Sequence, residues 1–74
     1  MNTKIRLTQR ESEVLTGISH GRTTKEIAHT LFLSDHTIVS YRKILLDKLN
    51  AANAADLVRR GFEHGYLTLG EGST

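Results

Sequence analysis

Four histidines, eight carboxylates and a scatter of hydroxyls are the groups in this chain able to do chemistry, and their spacing decides what kind. His20, His29, His36 and His64 do not share a ligand spacing on one helix face, and there is no cysteine, so neither a metal centre nor a disulfide is expected. No paired carboxylates, no nucleophile with a base and orienting group, and no phosphate-cradling glycine loop can be picked out. Bond-breaking chemistry therefore has no candidate residues, and no cofactor is implied. Recognition chemistry does have them. His36, Val39, Ser40 and Lys43 fall on one helix face at about 100° per residue. Lys43 can donate hydrogen bonds, Ser40 can donate or accept, and Val39 offers methyl groups to an apolar contact.

Such a face is useful only on a helix held by its opposite side. The stretch from Asp35 to Leu49 meets that need, with Ile38, Tyr41, Leu45 and Leu49 in one apolar stripe and Ile44 and Leu46 on its flanks. Ser34 caps its start, and Asn50 is suited to a left-handed stop. Before it, Thr23 and Glu26 form a capping box that opens a short helix over 24–31, with Ile27, Ala28 and Leu31 inward. Phe32, Leu33 and Ser34 make the corner between the two.

A further capping box, Thr8 with Glu11, opens a helix over 9–20 that carries Val14, Leu15 and Ile18 and stops at Gly21. Leu7 should fold onto the same core. Asn53 opens the last helix, over 54–64, along which Leu57, Val58 and Phe62 recur. Gly61 within it marks a close helix approach, and Gly65 closes it. With no proline and no strand alternation, the expected fold is all-α: four helices at about 9–20, 24–31, 35–49 and 54–64 around a central helix-turn-helix. Residues 1–6 read as a flexible N-terminus, 7–67 as the domain and 68–74 as a flexible tail.

Counting Thr24 as position one of the helix-turn-helix, the slots that must be apolar or small hold Ile27, Ala28, Leu31, Leu33, Ile38 and Tyr41. The ninth slot, often glycine in phage repressors, holds Phe32. The surrounding residues sharpen this. Leu7, Thr8, Arg10, Glu11, Gly21, Lys25, Glu26, Ile27, Ala28, Ser34, Thr37, Lys48, Leu49 and Asn53 together resemble the DNA-binding domain of LuxR-type (GerE-like) bacterial transcription regulators. The resemblance runs over about residues 7–67. It departs at Val39, where many members carry lysine, at Tyr41, where histidine is common, and at Asn50 and Ala54.

That resemblance implies sequence-specific binding of double-stranded DNA in transcription control, with the 35–49 helix in the major groove. His36, Val39, Ser40 and Lys43 would face bases. Thr23, Thr24, Lys25, Ser34, Thr37, Tyr41 and Arg42 are the candidates for phosphate, several of them doubling as caps whose neighbouring free amides also attract anions. The last helix would give a weak or DNA-assisted homodimer through Ala54, Leu57, Val58 and Gly61, and RNA polymerase is a further candidate partner. Arg10 is expected to pair with an acid of a neighbouring helix, and Arg59 and Arg60 to be solvated. Two other readings share the features: a sigma-factor promoter-recognition domain, and a protein-interaction module that kept the fold but lost DNA binding.

Composition narrows the setting without naming a partner. The net charge is +2, too small to argue from alone. No apolar run approaches the ~20 residues of a membrane span, so a cytoplasmic protein is expected. No receiver or ligand-sensing domain is visible, which fits a stand-alone regulator or the distal piece of a larger one.

Overall fold

The structure is a computed structural model, and it describes residues 5–68. Four helices follow in order: α1 Gln9–Ser19, α2 Thr24–Leu31, α3 Asp35–Lys48 and α4 Ala54–Glu63, with no strand among the described residues. Every helix starts at the residue its sequence signal marks. Thr8 and Thr23 form complete capping boxes with Glu11 and Glu26, Ser34 accepts from the Thr37 amide, and Asn53 accepts from the Asp56 amide. Three helices end one residue earlier than the apolar pattern alone indicates. His20, Leu49 and His64 are their C-caps, outside the regular helix.

The stops are left-handed where a stop is needed. Gly21 has φ +76, and Asn50 takes φ 53, a conformation asparagine tolerates better than most side chains. Phe32, the C-cap of α2, is also left-handed, at φ 58 and ψ 43.

The core is one cluster. Val14, Leu15 and Ile18 of α1 meet Ile27 and Ala28 of α2, Ile38 and Leu45 of α3, Leu49 just beyond it, Leu57 of α4 and Leu67 after it. Helix α1 packs against all three others, whereas α2 and α4 do not meet. Leu7 closes over one side, half-buried. Two glycines permit the close approaches. A Cβ on Gly17 would lie 2.8 Å from Ile27 Cγ1, and one on Gly61 would lie 2.7 Å from Leu67 Cδ1.

Helix four needs correction at this point. Leu57 is 1% exposed and Gly61 is buried, so these two face inward, four residues apart on one side. Neither is available to a partner subunit. Phe62, taken with the core pattern in the sequence, is turned to the surface instead. Phe62 follows Gly61 by one residue, about 100° round the helix from the face that Leu57 and Gly61 share, and Leu67, after the left-handed Gly65, fills the space above Gly61.

The two ends of the described chain are held as well. Lys48 Nζ donates to the Arg6 carbonyl at 3.1 Å, and the Tyr66 hydroxyl donates to the Ile5 carbonyl. Within the N-terminal stretch expected over 1–6, the carbonyls of Ile5 and Arg6 are the acceptors of these two bonds. Residues 1–4, and the 69–74 part of the expected tail, lie outside the described residues.

Candidate nucleic-acid interface

Helix α3 sits half sunk in the domain. Its inner side is fixed by Ile38 and Leu45, both fully buried, with Tyr41 half-buried beside them. Periodicity then forces His36, Val39, Ser40 and Lys43 outward, and all four are exposed on the opposite side. Val39 keeps 54% of its surface in water, so its methyl groups are free to pack on a partner. Asp47 shares this face one turn beyond Lys43 and is exposed too.

The cap residues have two functions within reach of one another. Ser34 Oγ accepts from the Thr37 amide at 3.0 Å and donates to Thr37 Oγ1 at 2.9 Å, which leaves the Thr37 proton to be donated outward. The amides of Asp35 and His36, in the first turn, have no intrahelical acceptor. The entry of α2 repeats the pattern. Glu26 accepts from the Thr23 amide at 2.8 Å while Thr23 accepts from the Glu26 amide, leaving the Thr24 and Lys25 amides open. Thr23, Lys25 and Ser34 are exposed, and Thr24, Thr37, Tyr41 and Arg42 are half-buried. Tyr41 packs on the core through its ring and leaves no buried hydroxyl without a partner.

Ion pairing divides the cations into two groups. Arg10, Lys48, Arg59 and Arg60 each have a carboxylate partner. Among the described residues Arg6, Arg22, Lys25, Arg42 and Lys43 have none. Four of those five lie in the helix-turn-helix or the turn before it, so the small net charge conceals an uncompensated set of cations around α2 and α3. The paired group also overturns two expectations. Arg10 pairs with Glu13 of its own helix at 2.9 Å, and the bond between helices is instead Lys48 Nζ to Glu11 Oε1 at 2.8 Å. Arg59 and Arg60 are not merely solvated: both hold Asp56, and Arg59 also holds Glu63.

The carboxylates respond accordingly. Burial opposes ionisation of Glu11, but Lys48 and the Thr8 amide together outweigh it and hold its pKa below the usual range. Asp56 is held down to about 2, first by the Ala52 amide and then by Arg59. Both are structural groups that lock helix ends. Among the described residues no three His, Asp or Glu side chains gather as a metal site, and no described helix is long and apolar enough to cross a membrane.

Pattern reading missed three surface residues: Arg22, Phe32 and Phe62. Phe32 carries a detectable signal, an aromatic ring where other helix-turn-helix sequences place glycine. Arg22 and Phe62 carry none, because their exposure depends on how the helices pack.

The fold and surface agree with comparisons to known proteins. The profile of the luxR family of bacterial regulatory proteins (GerE) matches residues 6–60. The transcriptional regulatory protein DesR of Bacillus subtilis is 38% identical over 61 residues, covering 82% of this chain and 31% of DesR. The virulence regulator BvgA of Bordetella pertussis is 40% identical over 52 residues, covering 70% of this chain and 25% of BvgA. The chain thus spans about a third or less of these two regulators. The structure of the Vibrio cholerae VqmA–ligand–DNA complex superposes with a TM-score of 0.79 at 29% identity, over 89% of this chain and 29% of that one. With four helices in this order, a capped α2–α3 corner and an exposed α3 face, the chain belongs to the LuxR family of bacterial regulatory proteins and forms its helix-turn-helix DNA-binding domain.

Proposed function

We propose that α3 enters the major groove of double-stranded DNA and reads a specific sequence there through His36, Val39, Ser40 and Lys43. The observation that carries this reading is the exposed face opposite the buried Ile38 and Leu45, with Lys43 unpaired on it. Lys43 donates to guanine, Ser40 bonds to a base edge and Val39 meets a thymine methyl. Asp47 bounds the contact, since a carboxylate one turn further along repels phosphate. Base reading is thus confined to the first two and a half turns of α3. With a single cation on this face, specificity leans on apolar contact and DNA shape.

Thr23, Thr24, Lys25, Ser34, Thr37, Tyr41 and Arg42 hold the backbone and set the register. The complexed VqmA structure, similar over most of this chain, supports DNA as the partner. In α4, Ala54 and Val58 remain half-buried at the surface, and Phe62 continues their line at the same four-residue interval. That stripe gives a weak homodimer, completed when two copies bind neighbouring half-sites. The site of action is the bacterial cytoplasm, and RNA polymerase is the machinery on which a DNA-bound regulator of this kind acts.

Selection of bound duplexes from a random pool tests the reading. Enrichment of a two-fold site, with half-sites about one helical turn apart, is expected. Lys43→Ala should weaken binding by about 1–3 kcal/mol and relax selection at one base pair. A pool that never enriches would refute sequence reading by α3.

A further inference from the structure

A shallow concavity of about 590 Å³ lies outside the α2–α3 corner, between the turn after α1 and the outer side of α2. His20, Arg22, Lys25, Glu26 and His29 are among the residues that line it. We propose that it extends the DNA-backbone contact of the helix-turn-helix, with Arg22, next to the Lys25 already assigned there, neutralising one further phosphate. The proposal rests on the reading that α3 lies in the major groove.

Three observations support this extension. Arg22 and Lys25 have no carboxylate partner among the described residues, although the chain pairs four other cations with acids. A planar guanidinium is well matched to two oxygens of a phosphodiester. The two cations are also brought to one wall by the fold. Gly21 turns the chain left-handed at φ +76, and Arg22 immediately precedes the Thr23 cap of α2. Lys25 and His29, four apart on α2, continue along the same concavity the wall that Arg22 begins. Finally, the wall is concave and sets two cations against the single carboxylate of Glu26, so its field is positive on balance.

The hydroxyl in the lining is already engaged, and the acid, though still charged, has one oxygen committed to the cap. Glu26 Oε1 accepts from the Thr23 amide at 2.8 Å, which turns that carboxylate oxygen toward the cap. Thr30 Oγ1 donates to the Glu26 carbonyl at 3.0 Å and supplies no proton to a ligand. Arg22, Lys25 and one ring N–H from each of His20 and His29 are the donors left. A phosphodiester, charged and acceptor-only, is their chemical complement. The source is DNA rather than a free anion because the concavity adjoins the α2 entry, whose Thr24 and Lys25 amides face the same backbone in the proposed complex.

Affinity of the whole chain for its selected duplex and for a scrambled duplex is measured across a range of salt. For Arg22→Gln the slope of log affinity against log salt should shrink by about 0.9, the contribution of one phosphate. Affinity should fall by the same factor on both duplexes, and Arg22→Lys should restore most of the slope. Arg59→Gln, at a cation already held by Asp56 and Glu63, should leave the slope unchanged. A wild-type slope in a folded Arg22→Gln overturns the extension while leaving the α3 reading intact. A changed base preference in Arg22→Gln also overturns it, because Arg22 would then read sequence. Stabilisation by inorganic phosphate alone, lost in Arg22→Gln, reassigns the concavity to a free anion. Wild-type protein that binds both duplexes equally refutes the α3 reading instead, and Arg22→Gln is then judged by its slope alone.

Discussion

Phe32 sits in the left-handed region and is 93% exposed, so it gains little from packing and bears the strain of a conformation that side chains avoid. Left-handed backbone costs a non-glycine residue about 1–2 kcal/mol, partly offset by the extra unfolded freedom that glycine would bring. Phe32→Gly should therefore stabilise the domain by about 0.5–1 kcal/mol, visible as a higher melting temperature; a lower one would show that the ring has a partner within the fold. The conformation explains why the ninth slot of a helix-turn-helix favours glycine. At this scale much was legible. Thr8, Thr23, Ser34 and Asn53 all cap as their neighbours imply, because a cap is a bond across three residues. The partners of Arg10 and Lys48 were not legible, since a long side chain reaches several acids and only packing chooses among them.

Between elements, the α2–α3 corner depends on Ala28, which is 2% exposed where the helices cross. Ala28→Leu adds three carbons to a filled space and should destabilise the domain by about 1–3 kcal/mol or more, read from a denaturant midpoint. An unaltered midpoint would mean that the crossing yields without strain. Helix four shows the limit of pattern reading. Leucine, valine and phenylalanine outrank glycine in any apolar tally, yet Gly61 faces inward and Leu67 returns over it. The 3.6 period puts Gly61 on the face of the buried Leu57, but it cannot foresee that Leu67, six positions on, fills the space the missing side chain leaves. Phe62 lies beside that face and is exposed, so the side of α4 left at the surface runs through Ala54, Val58 and Phe62.

For the whole molecule, the Glu11–Lys48 pair joins the first turn of α1 to the last turn of α3 across 37 residues. The pair is largely buried on the acid side, 7% exposed at Glu11 against 33% at Lys48. Because the Glu11 pKa is lowered on folding, its stabilisation is complete above the ordinary value of 4.5 and is lost as pH falls through the lower folded value. Glu11→Gln should destabilise the protein by about 1–3 kcal/mol at neutral pH, leaving Lys48 with a neutral partner. Its melting temperature should also fall less steeply than wild type below about pH 5. Glu13 and Asp56, also lowered, titrate in both proteins, so the difference isolates Glu11. Parallel curves would assign the acid sensitivity to those two.

The bond from Tyr66 to the Ile5 carbonyl brings together residues 61 apart in the chain, at a place where Lys48 also grips Arg6. Mechanically, this makes the domain a closed loop with a handle. Both ends of the described chain are thus stapled to the body of the domain by residues that take no part in the α2–α3 corner.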